Sequence, residues 1–183
     1  MVKNKFFIII FAMYFIIQSC NKMPSSKDDE LSLHLRNYTG TEIKTEGYWY
    51  YYDTHSTGNR FTIYFFYKNG VIFGGVSVKD YNLAQREEEF RNGQFYEWGK
   101  DTKYEWGVFN VDSNKIAFER WYPGHPPLPT YIRAGKIIND TTFVITEVYR
   151  MKDGVKTDYS EENVTYHFKK FSPKPDSTNN FVK

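Results

Sequence analysis

The chain has 183 residues, of which 24 are lysine or arginine and 22 are aspartate or glutamate, and its formal net charge is +2. Lys3 and Lys5 precede Cys20, so the 164 residues from Cys20 onward contain 22 basic and 22 acidic residues. A domain without net charge lacks the basic surface that nucleic acids attract, and we therefore expect no nucleic-acid partner.

An apolar segment near the N-terminus predicts a secretory signal peptide. Lys3 and Lys5 precede a run from Phe6 to Ile17 that contains no charged residue and no proline. These twelve residues are too few to cross a bilayer, which takes about 20 apolar residues. A short apolar run behind a positive front is typical of a signal peptide, which we place at residues 1–19.

The end of this run predicts a lipid anchor. Ile17-Gln18-Ser19-Cys20 resembles the lipobox of bacterial lipoproteins, which implies that the Cys20 thiol takes a diacylglycerol and that its amine, freed by cleavage, is acylated, for example with palmitate. Cys20 is the only cysteine in the chain, so no disulfide competes for it. Two or more acyl chains on one residue hold a protein stably on a membrane. We expect an outer-membrane lipoprotein of the cell envelope, with the bilayer as its partner through acylated Cys20.

A charged segment follows the predicted anchor. Lys27, Asp28, Asp29 and Glu30 resemble the export signal of surface lipoproteins of the Bacteroidota, although the segment begins seven residues after Cys20. An ordinary solvated linker is the alternative, because short charge runs usually have that role. Surface display and a periplasmic orientation both stay open, with surface display preferred.

Polar segments flank a single predicted domain. Residues 20–44 contain the lipidated cysteine and have no sustained hydrophobic period, which predicts a flexible tether. Residues 172–183 have a similar composition and predict a disordered tail. The 45–171 region between them is long enough for one domain with its own core.

The 45–171 region is rich in β-branched and aromatic residues. Eight short runs bounded by turn-forming residues predict strands at 47–53, 60–67, 71–78, 104–111, 115–122, 131–138, 141–150 and 164–171. Asn69-Gly70 predicts a tight hairpin with a type I′ turn between the second and third runs. Residues 80–91 instead show a helical pattern, and their acidic run Glu87-Glu88-Glu89 predicts a solvated helix face.

The first predicted strand carries a resemblance to a known family. Gly47-Tyr48-Trp49 matches the Gly-x-Trp motif that opens lipocalin barrels, and the domain resembles the small lipocalin-like lipoproteins of Bacteroidota over residues 45–171. With the strand pattern, this predicts a mainly β fold: an antiparallel lipocalin-like β-barrel of about eight strands with one short helical insertion. A curved β-sandwich is the alternative.

Candidate site residues lie in two loops. The segment 121–129 has proline-stiffened backbone, and Trp121, Tyr122 and His125 offer flat rings with polar edges that suit a sugar or an amphipathic molecule. His55 in the 53–59 loop is the other polar candidate. A connection that packs its own aromatics against the barrel rim explains the same pattern without a ligand.

Three charged residues in predicted strands, Arg120, Arg133 and Glu147, are further candidates for the barrel interior, although the sequence does not determine which face they occupy. Aromatic residues make up 20% of the chain and fall on both faces of several strands, so a helix, a partner or a ligand has to cover the outer face.

The residues favour binding over catalysis. No Gly-x-Ser-x-Gly elbow is present, the four histidines are scattered, and the only cysteine has a predicted lipid role, so we expect no enzyme, no metal site and no cofactor. We therefore predict a lipid-anchored envelope protein that acts as a non-catalytic binding module for a small amphipathic molecule or glycan. The alternative is a structural or accessory subunit of an outer-membrane protein complex.

Overall fold

The computed structural model of the protein describes residues 27–55, 58–79, 82–94 and 99–183. These residues form a closed antiparallel barrel in which each strand pairs with its sequence neighbours and the last strand pairs with the first. The strands are β1 Gly47–His55, β2 Gly58–Phe66, β3 Val71–Lys79, β4 Trp106–Asp112, β5 Lys115–Trp121, β6 Thr130–Asn139, β7 Thr142–Lys152 and β8 Val155–Lys170. Helix α1 spans Leu83–Arg91, and a 3-10 turn spans Lys103–Glu105. The predicted eight-stranded barrel with a helical insertion is confirmed.

Strand β8 is longer than predicted. It was expected over 164–171, but it begins at Val155, directly after the Asp153-Gly154 turn, and has 16 residues. Both turn residues have positive φ, 51° and 78°, as a tight hairpin between twisted strands requires. The first half of β8 pairs with β7 alone and is mostly exposed on both faces, so it lacks the apolar alternation by which a strand is recognised.

The β2–β3 hairpin forms at the predicted place but with a different turn. Gly70 has a φ of 82°, whereas Asn69 is not among the residues with positive φ, and Tyr67 pairs with Val71 through an N–H to carbonyl bond of 3.0 Å. The loop therefore has three residues and ends on a left-handed glycine, a common alternative to the type I′ turn. A two-residue turn at Asn69-Gly70 would place Phe66 opposite Phe73. The three-residue loop shifts the pairing by one residue, so Phe66 lies opposite Ile72.

Aromatic side chains fill much of the barrel interior. Because side chains alternate across a strand, cross-strand partners face the same side, and the inward-facing set can be followed from strand to strand. We define the inner cluster as Trp49, Tyr64, Phe66, Ile72, Phe109, Ile116, Phe118, Phe143, Ile145, Val148 and Tyr166, which Ile43 joins from the N-terminal segment.

A second cluster lies on the outside of the barrel. We define the outer cluster as Tyr48, Ile63, Phe65, Tyr67, Val71, Phe73, Val78, Trp106, Val108 and Trp121 of the strands, together with Phe90 of α1, Leu128, Phe171 and Val182. Phe90 contacts Phe65 edge-on at a centroid distance of 5.1 Å. The outer aromatic face that the sequence left without a cover is therefore covered by α1 and by both terminal segments.

The N-terminal segment packs on the barrel from Lys27 onward, where a flexible tether was predicted for residues 20–44. The backbone N–H groups of Ser32 and Leu33 both donate to Oε2 of the fully buried Glu119, each at 2.7 Å. Further along, the Tyr38 N–H donates to the Lys68 carbonyl at 2.7 Å. Backbone hydrogen bonds and outer-cluster contacts stabilise a sequence that has no period of its own, so composition alone gave the wrong prediction for residues 27–44.

The C-terminal segment also packs on the barrel, and the predicted disorder of residues 172–183 is wrong for the same reason. The Tyr67 hydroxyl donates to the Pro175 carbonyl at 2.7 Å. The Lys174 ammonium donates to the Thr45 and Phe66 carbonyls at 2.6 and 3.1 Å, and Val182 is a buried member of the outer cluster. The segment thus connects the start of β1 and the end of β2 to the outer cluster.

The acidic run of α1 is only partly a solvated face, which corrects the prediction for Glu87. Glu87 is 8% exposed, and its Oε1 accepts hydrogen bonds of 2.6 Å from the Tyr48 hydroxyl and from the Lys169 ammonium. Arg91, four residues later, lies 3.6 Å from its other oxygen. Two cations and a hydroxyl make burial of this carboxylate tolerable, and Glu87 fastens the helix to the barrel.

Candidate functional site

The strand directions sort the connections into two ends of the barrel. Odd-numbered strands run towards one end, which we call the upper end, and even-numbered strands return from it. The β1–β2 connection, the insertion with α1, the 122–129 loop and the Asp153-Gly154 turn therefore all lie at the upper end. Barrels hold ligands in such a mouth, which makes the interior below these loops the first place to look for a site.

The lower interior is filled with aromatic rings. Trp49 and Phe143 contact each other in a tilted arrangement at a centroid distance of 4.7 Å, and Phe66 contacts Phe109 edge-on at 4.9 Å. Each of these four side chains is at most 1% exposed. At normal packing density, rings at these spacings leave no space for a ligand, so they form the floor of any site above them.

A layer of polar groups borders this floor, since Tyr64 pairs with Trp49 and Tyr166 pairs with Phe143 across the strands. Arg133 of β6 has Phe118 and Val148 as its two cross-strand partners, and both belong to the inner cluster, so Arg133 also points inward. Tyr166 contacts Tyr51 at a centroid distance of 5.1 Å and Tyr64 at 5.9 Å. We call Tyr51, Tyr64, Arg133 and Tyr166 the polar layer.

The charge states in the polar layer follow from its environment. Burial alone lowers the pKa of Arg133, but its electrostatic interactions with the tyrosines and with Glu162 outweigh that effect and raise the pKa, so the guanidinium stays charged. Burial raises the pKa of Tyr166 well above its usual range and also raises the pKa of Tyr51. At neutral pH the layer therefore presents one cation beside the neutral hydroxyl groups of Tyr51 and Tyr166.

Several donors of the polar layer have no acceptor. Tyr51 shares a hydrogen bond with Thr62. Within the described parts of the chain, neither Arg133 nor the hydroxyls of Tyr64 and Tyr166 have a hydrogen-bond partner, and Arg133 is in no ion pair. Arg133 is half-buried, so its unpaired donors face water or a ligand in the interior.

A second arginine points inward nearer the mouth. Arg60 lies opposite Asp53 on β1, two positions above the inward-facing pair Tyr51 and Thr62, and it keeps part of its surface exposed. Its Nε is buried without a partner among the residues that the structure describes. Arg60 and Arg133 together make the upper interior a place where a negatively charged group is favoured.

Arg120 also faces inward, but its Nη1 is engaged in the wall of the barrel, while its Nε is buried without a partner among the described residues. Strands β3 and β4 pair only through Val71, Ile72 and Phe73 among the described residues, and the two strands separate above that point. The Arg120 guanidinium bridges the separation, since its Nη1 donates to the Gly74 carbonyl at 2.6 Å and to the Tyr104 carbonyl at 2.8 Å. We therefore assign Arg120 a structural role.

A buried carboxyl group lies beside Arg120. Glu105 is 7% exposed, and its Oε2 is enclosed without a partner among the described residues. Burial raises the pKa of Glu105 to about 7, although the attraction of Arg120 acts in the opposite direction. A group with such a pKa could exchange a proton near neutral pH, but its enclosure separates it from the polar layer.

Glu147, the third charged residue considered for the interior, lies on the outside. It pairs with Lys156 of β8 at 3.0 Å. A bulge on β7 between Ile145 and Glu147 shifts the alternation of the strand, which is why the sequence did not reveal the face.

Trp121 does not present an open ring at the rim, where it was expected. It is 4% exposed, faces outward as part of the outer cluster, and its Nε1 donates to the Asp29 carbonyl at 2.8 Å. The Lys103 ammonium lies 4.4 Å from the ring centroid. The N-terminal segment thus covers the indole, and Trp121 has the surroundings of a core residue.

The other predicted loop residues occupy the upper end. Tyr122 is 48% exposed and contacts Tyr131 at a centroid distance of 5.4 Å. His125 is exposed in the same loop. The backbone of His55 ends β1 at this end, while its side chain lies outside the described part of the structure. Their role in ligand binding stays a prediction.

The predicted export signal has a structural role in part. Asp28 accepts hydrogen bonds of 2.8 Å from the Lys103 ammonium and from the Leu128 N–H, contacts that lower the pKa of its carboxyl group. Asp29 pairs with Arg150 at 2.8 Å. Lys27 and Glu30 are exposed. A surface groove of about 550 Å³ runs between these residues and the C-terminal segment. Cys20 and the predicted signal peptide lie outside the described residues.

The described residues form neither a metal-ligating cluster nor a membrane-spanning helix. No three His, Cys, Asp or Glu side chains come together there in a way that could hold a metal ion. No helix in the same ranges has the length and apolar character to cross a bilayer.

The polar layer was only partly accessible to sequence reasoning. Arg133 was named as a candidate, but its face depends on the pairing of β6 with β5 and β7, where a bulge at Ala134/Gly135 shifts the register. Tyr51, Tyr64 and Tyr166 were indistinguishable from the other tyrosines because all lie in aromatic strands. Comparisons of the chain with protein-family models, with curated proteins and with solved structures return no match.

Proposed function

We propose that this protein is a non-catalytic binding module of the outer membrane that takes a small amphipathic molecule or glycan into the upper interior of its barrel. The supporting observation is that two inward-facing arginines, Arg60 and Arg133, have no partner among the described residues and lie above a floor of packed aromatic rings. Both arginines are half-buried, and partly desolvating a charge without a partner is unfavourable, so a purely structural interior would favour apolar side chains there.

The membrane location belongs to the same proposal and is supported by sequence. The short apolar run and Ile17-Gln18-Ser19-Cys20 favour lipidation of Cys20 in the cell envelope. The interpretation of Lys27 to Glu30 as a surface-export signal is compatible with the contacts of Asp28 and Asp29, since Lys27 and Glu30 stay exposed for recognition.

A role as an accessory subunit of an envelope complex is the second candidate. It was based on an uncovered aromatic outer face, which a partner would need to bury. In the described structure, α1 and both terminal segments cover that face. The interior site is therefore the better supported of the two.

A ligand screen with a blocked interior tests the binding proposal. Val148 belongs to the inner cluster and neighbours Arg133 across the β6–β7 pair. We expect Val148→Trp to fill the upper interior and to abolish the thermal shift that ligands from a library of glycans and small amphipathic molecules produce in the wild type. Tyr149→Trp, on the outward face of the same strand, serves as the matched control and should keep those shifts.

Folding of both variants is checked by circular dichroism before the screen. If folded Val148→Trp keeps every shift of the wild type, ligands bind elsewhere and the interior site is wrong. If no compound shifts the wild type, the binding function itself loses its support, and the accessory-subunit candidate is preferred.

A further inference from the structure

We propose that the polar layer binds an oxyanion, the carboxylate or phosphate group of a small organic acid or phosphate ester, with Arg133 as its principal ligand. This proposal rests on the proposed function, because it names the chemical group that the interior site recognises. The two sources of oxyanion share one recognition chemistry: a planar guanidinium that donates paired hydrogen bonds.

Arg133 differs from Arg120 and Arg150 in its contacts. Arg120 donates to two carbonyls of the wall, and Arg150 pairs with Asp29 at 2.8 Å and with Asp158 at 3.2 Å. Arg133 has no such acceptor within the described residues. Glu162 interacts with it electrostatically but forms no ion pair with it. Arg133 is therefore a charged, half-buried donor that faces the interior and has no acceptor among the described residues.

Tyrosine side chains lie around the Arg133 guanidinium. Tyr64 and Tyr166 are 2% and 1% exposed, and both interact electrostatically with Arg133. Burial keeps the pKa of Tyr166 well above its usual range, so this hydroxyl stays protonated and can donate to an oxyanion. A cation flanked by neutral donors fits a negative group better than it fits a neutral or cationic one.

The barrel interior limits the size and the orientation of a bound ligand. The floor formed by Trp49, Phe66, Phe109 and Phe143 prevents the ligand from extending downward. Its body must then point to the upper end, past Val148 and Tyr131, and leave beside Arg60. An anion with a short apolar or aromatic body meets these conditions, and the charge of Arg60 favours its entry.

Three probes of matched shape test the proposal: 4-phenylbutyrate, the neutral 4-phenylbutanamide, and 2-phenylethyl phosphate. Binding to the mature lipidated protein in nanodiscs is measured by saturation-transfer NMR, with empty nanodiscs as the blank. We expect the wild type to bind at least one anion more tightly than the amide, and the preference between the two anions to identify the source as carboxylate or phosphate.

The decisive variant is Arg133→Gln, with Lys136→Gln as the control because Lys136 is exposed on the same strand. We expect Arg133→Gln to weaken anion binding roughly tenfold to a hundredfold, as for loss of a hydrogen bond between charged groups, and to leave amide binding unchanged. Arg133→Lys keeps the charge without the paired donors and should show an intermediate loss. It also serves if the glutamine variant does not fold.

Each outcome decides a different point. Equal anion affinity in the wild type and in folded Arg133→Gln would overturn the oxyanion site. Equal binding of amide and anions by the wild type would overturn it as well, while the proposed binding function would survive. Failure of every probe to bind the wild type would overturn the oxyanion site. The ligand screen with Val148→Trp would then test the proposed binding function separately.

Discussion

Replacing Glu105 with glutamine should stabilise the protein at pH 8 and leave its stability nearly unchanged at pH 4. The carboxyl group is 7% exposed, its Oε2 has no partner among the described residues, and burial raises its pKa to about 7. Below its unfolded-state value of 4.5 the group is protonated in both states and resembles the amide. Above pH 7 the folded protein must hold a buried, poorly compensated charge that glutamine does not have.

The magnitude follows from the displacement of the pKa. Between pH 4.5 and about 7 the folded state binds more protons at Glu105 than the unfolded state does, so the free energy of unfolding falls as the pH rises through this window. A displacement from 4.5 to about 7 at 1.36 kcal/mol per unit corresponds to about 3 kcal/mol, all of which is expressed above pH 7. The favourable interaction with Arg120 is already included in the raised pKa.

Urea denaturation of the wild type and of Glu105→Gln between pH 4 and pH 8 measures this effect. The difference in the free energy of unfolding between the two proteins isolates Glu105, because the other titrating groups are common to both. Glu161→Gln, at an exposed position, is the matched control and should show no such trend. A difference that stays constant from pH 4 to pH 8 would refute the raised pKa and the burial argument behind it.

Three further predictions concern the covered outer face and the anchor. Trp121→Ala should lower the free energy of unfolding by about 3–5 kcal/mol, as for a buried tryptophan, whereas Tyr122→Ala should lower it by less than about 1 kcal/mol; urea melts that rank them equally would contradict the burial of Trp121. Deletion of residues 172–183 should expose the outer cluster, so the fluorescence of bound anilinonaphthalene sulfonate should rise and the melting temperature should fall, and an unchanged melting temperature would show that the segment does not stabilise the barrel. Cys20→Ser should abolish incorporation of a clickable fatty acid in a host that processes lipoproteins, and equal labelling of both proteins would disprove the anchor.

Sequence reasoning was most accurate where a local pattern has a local cause. The strands were found because aromatic and β-branched runs between turn residues have few other uses, and their number indicated a barrel. The hairpin at Asn69-Gly70 was found because the positive φ of a tight turn favours few residue types. The exposed half of β8 was missed, since a two-stranded extension with solvent on both faces needs no apolar alternation.

The packing of the two terminal segments could not be predicted from local sequence. Residues 27–44 and 172–183 have the composition of linkers, but each lies on the barrel because the outer aromatic face needs a cover. The burial of Trp121 and Glu87 follows from the same packing. Such contacts join residues about a hundred positions apart, and no window of the sequence contains both partners.

The amino-acid sequence by itself determined the class of fold, the approximate strand positions and the predicted lipid attachment at Cys20, because these depend on short runs of residues and their periodicity. Only the tertiary structure decided that Arg133 and the three tyrosines of the polar layer converge on one side of the barrel wall. Bulges on β6 and β7 shift the alternation of inward and outward side chains, so the face of each residue depends on pairing across strands. The candidate site is therefore a product of register, which the barrel sets as a whole.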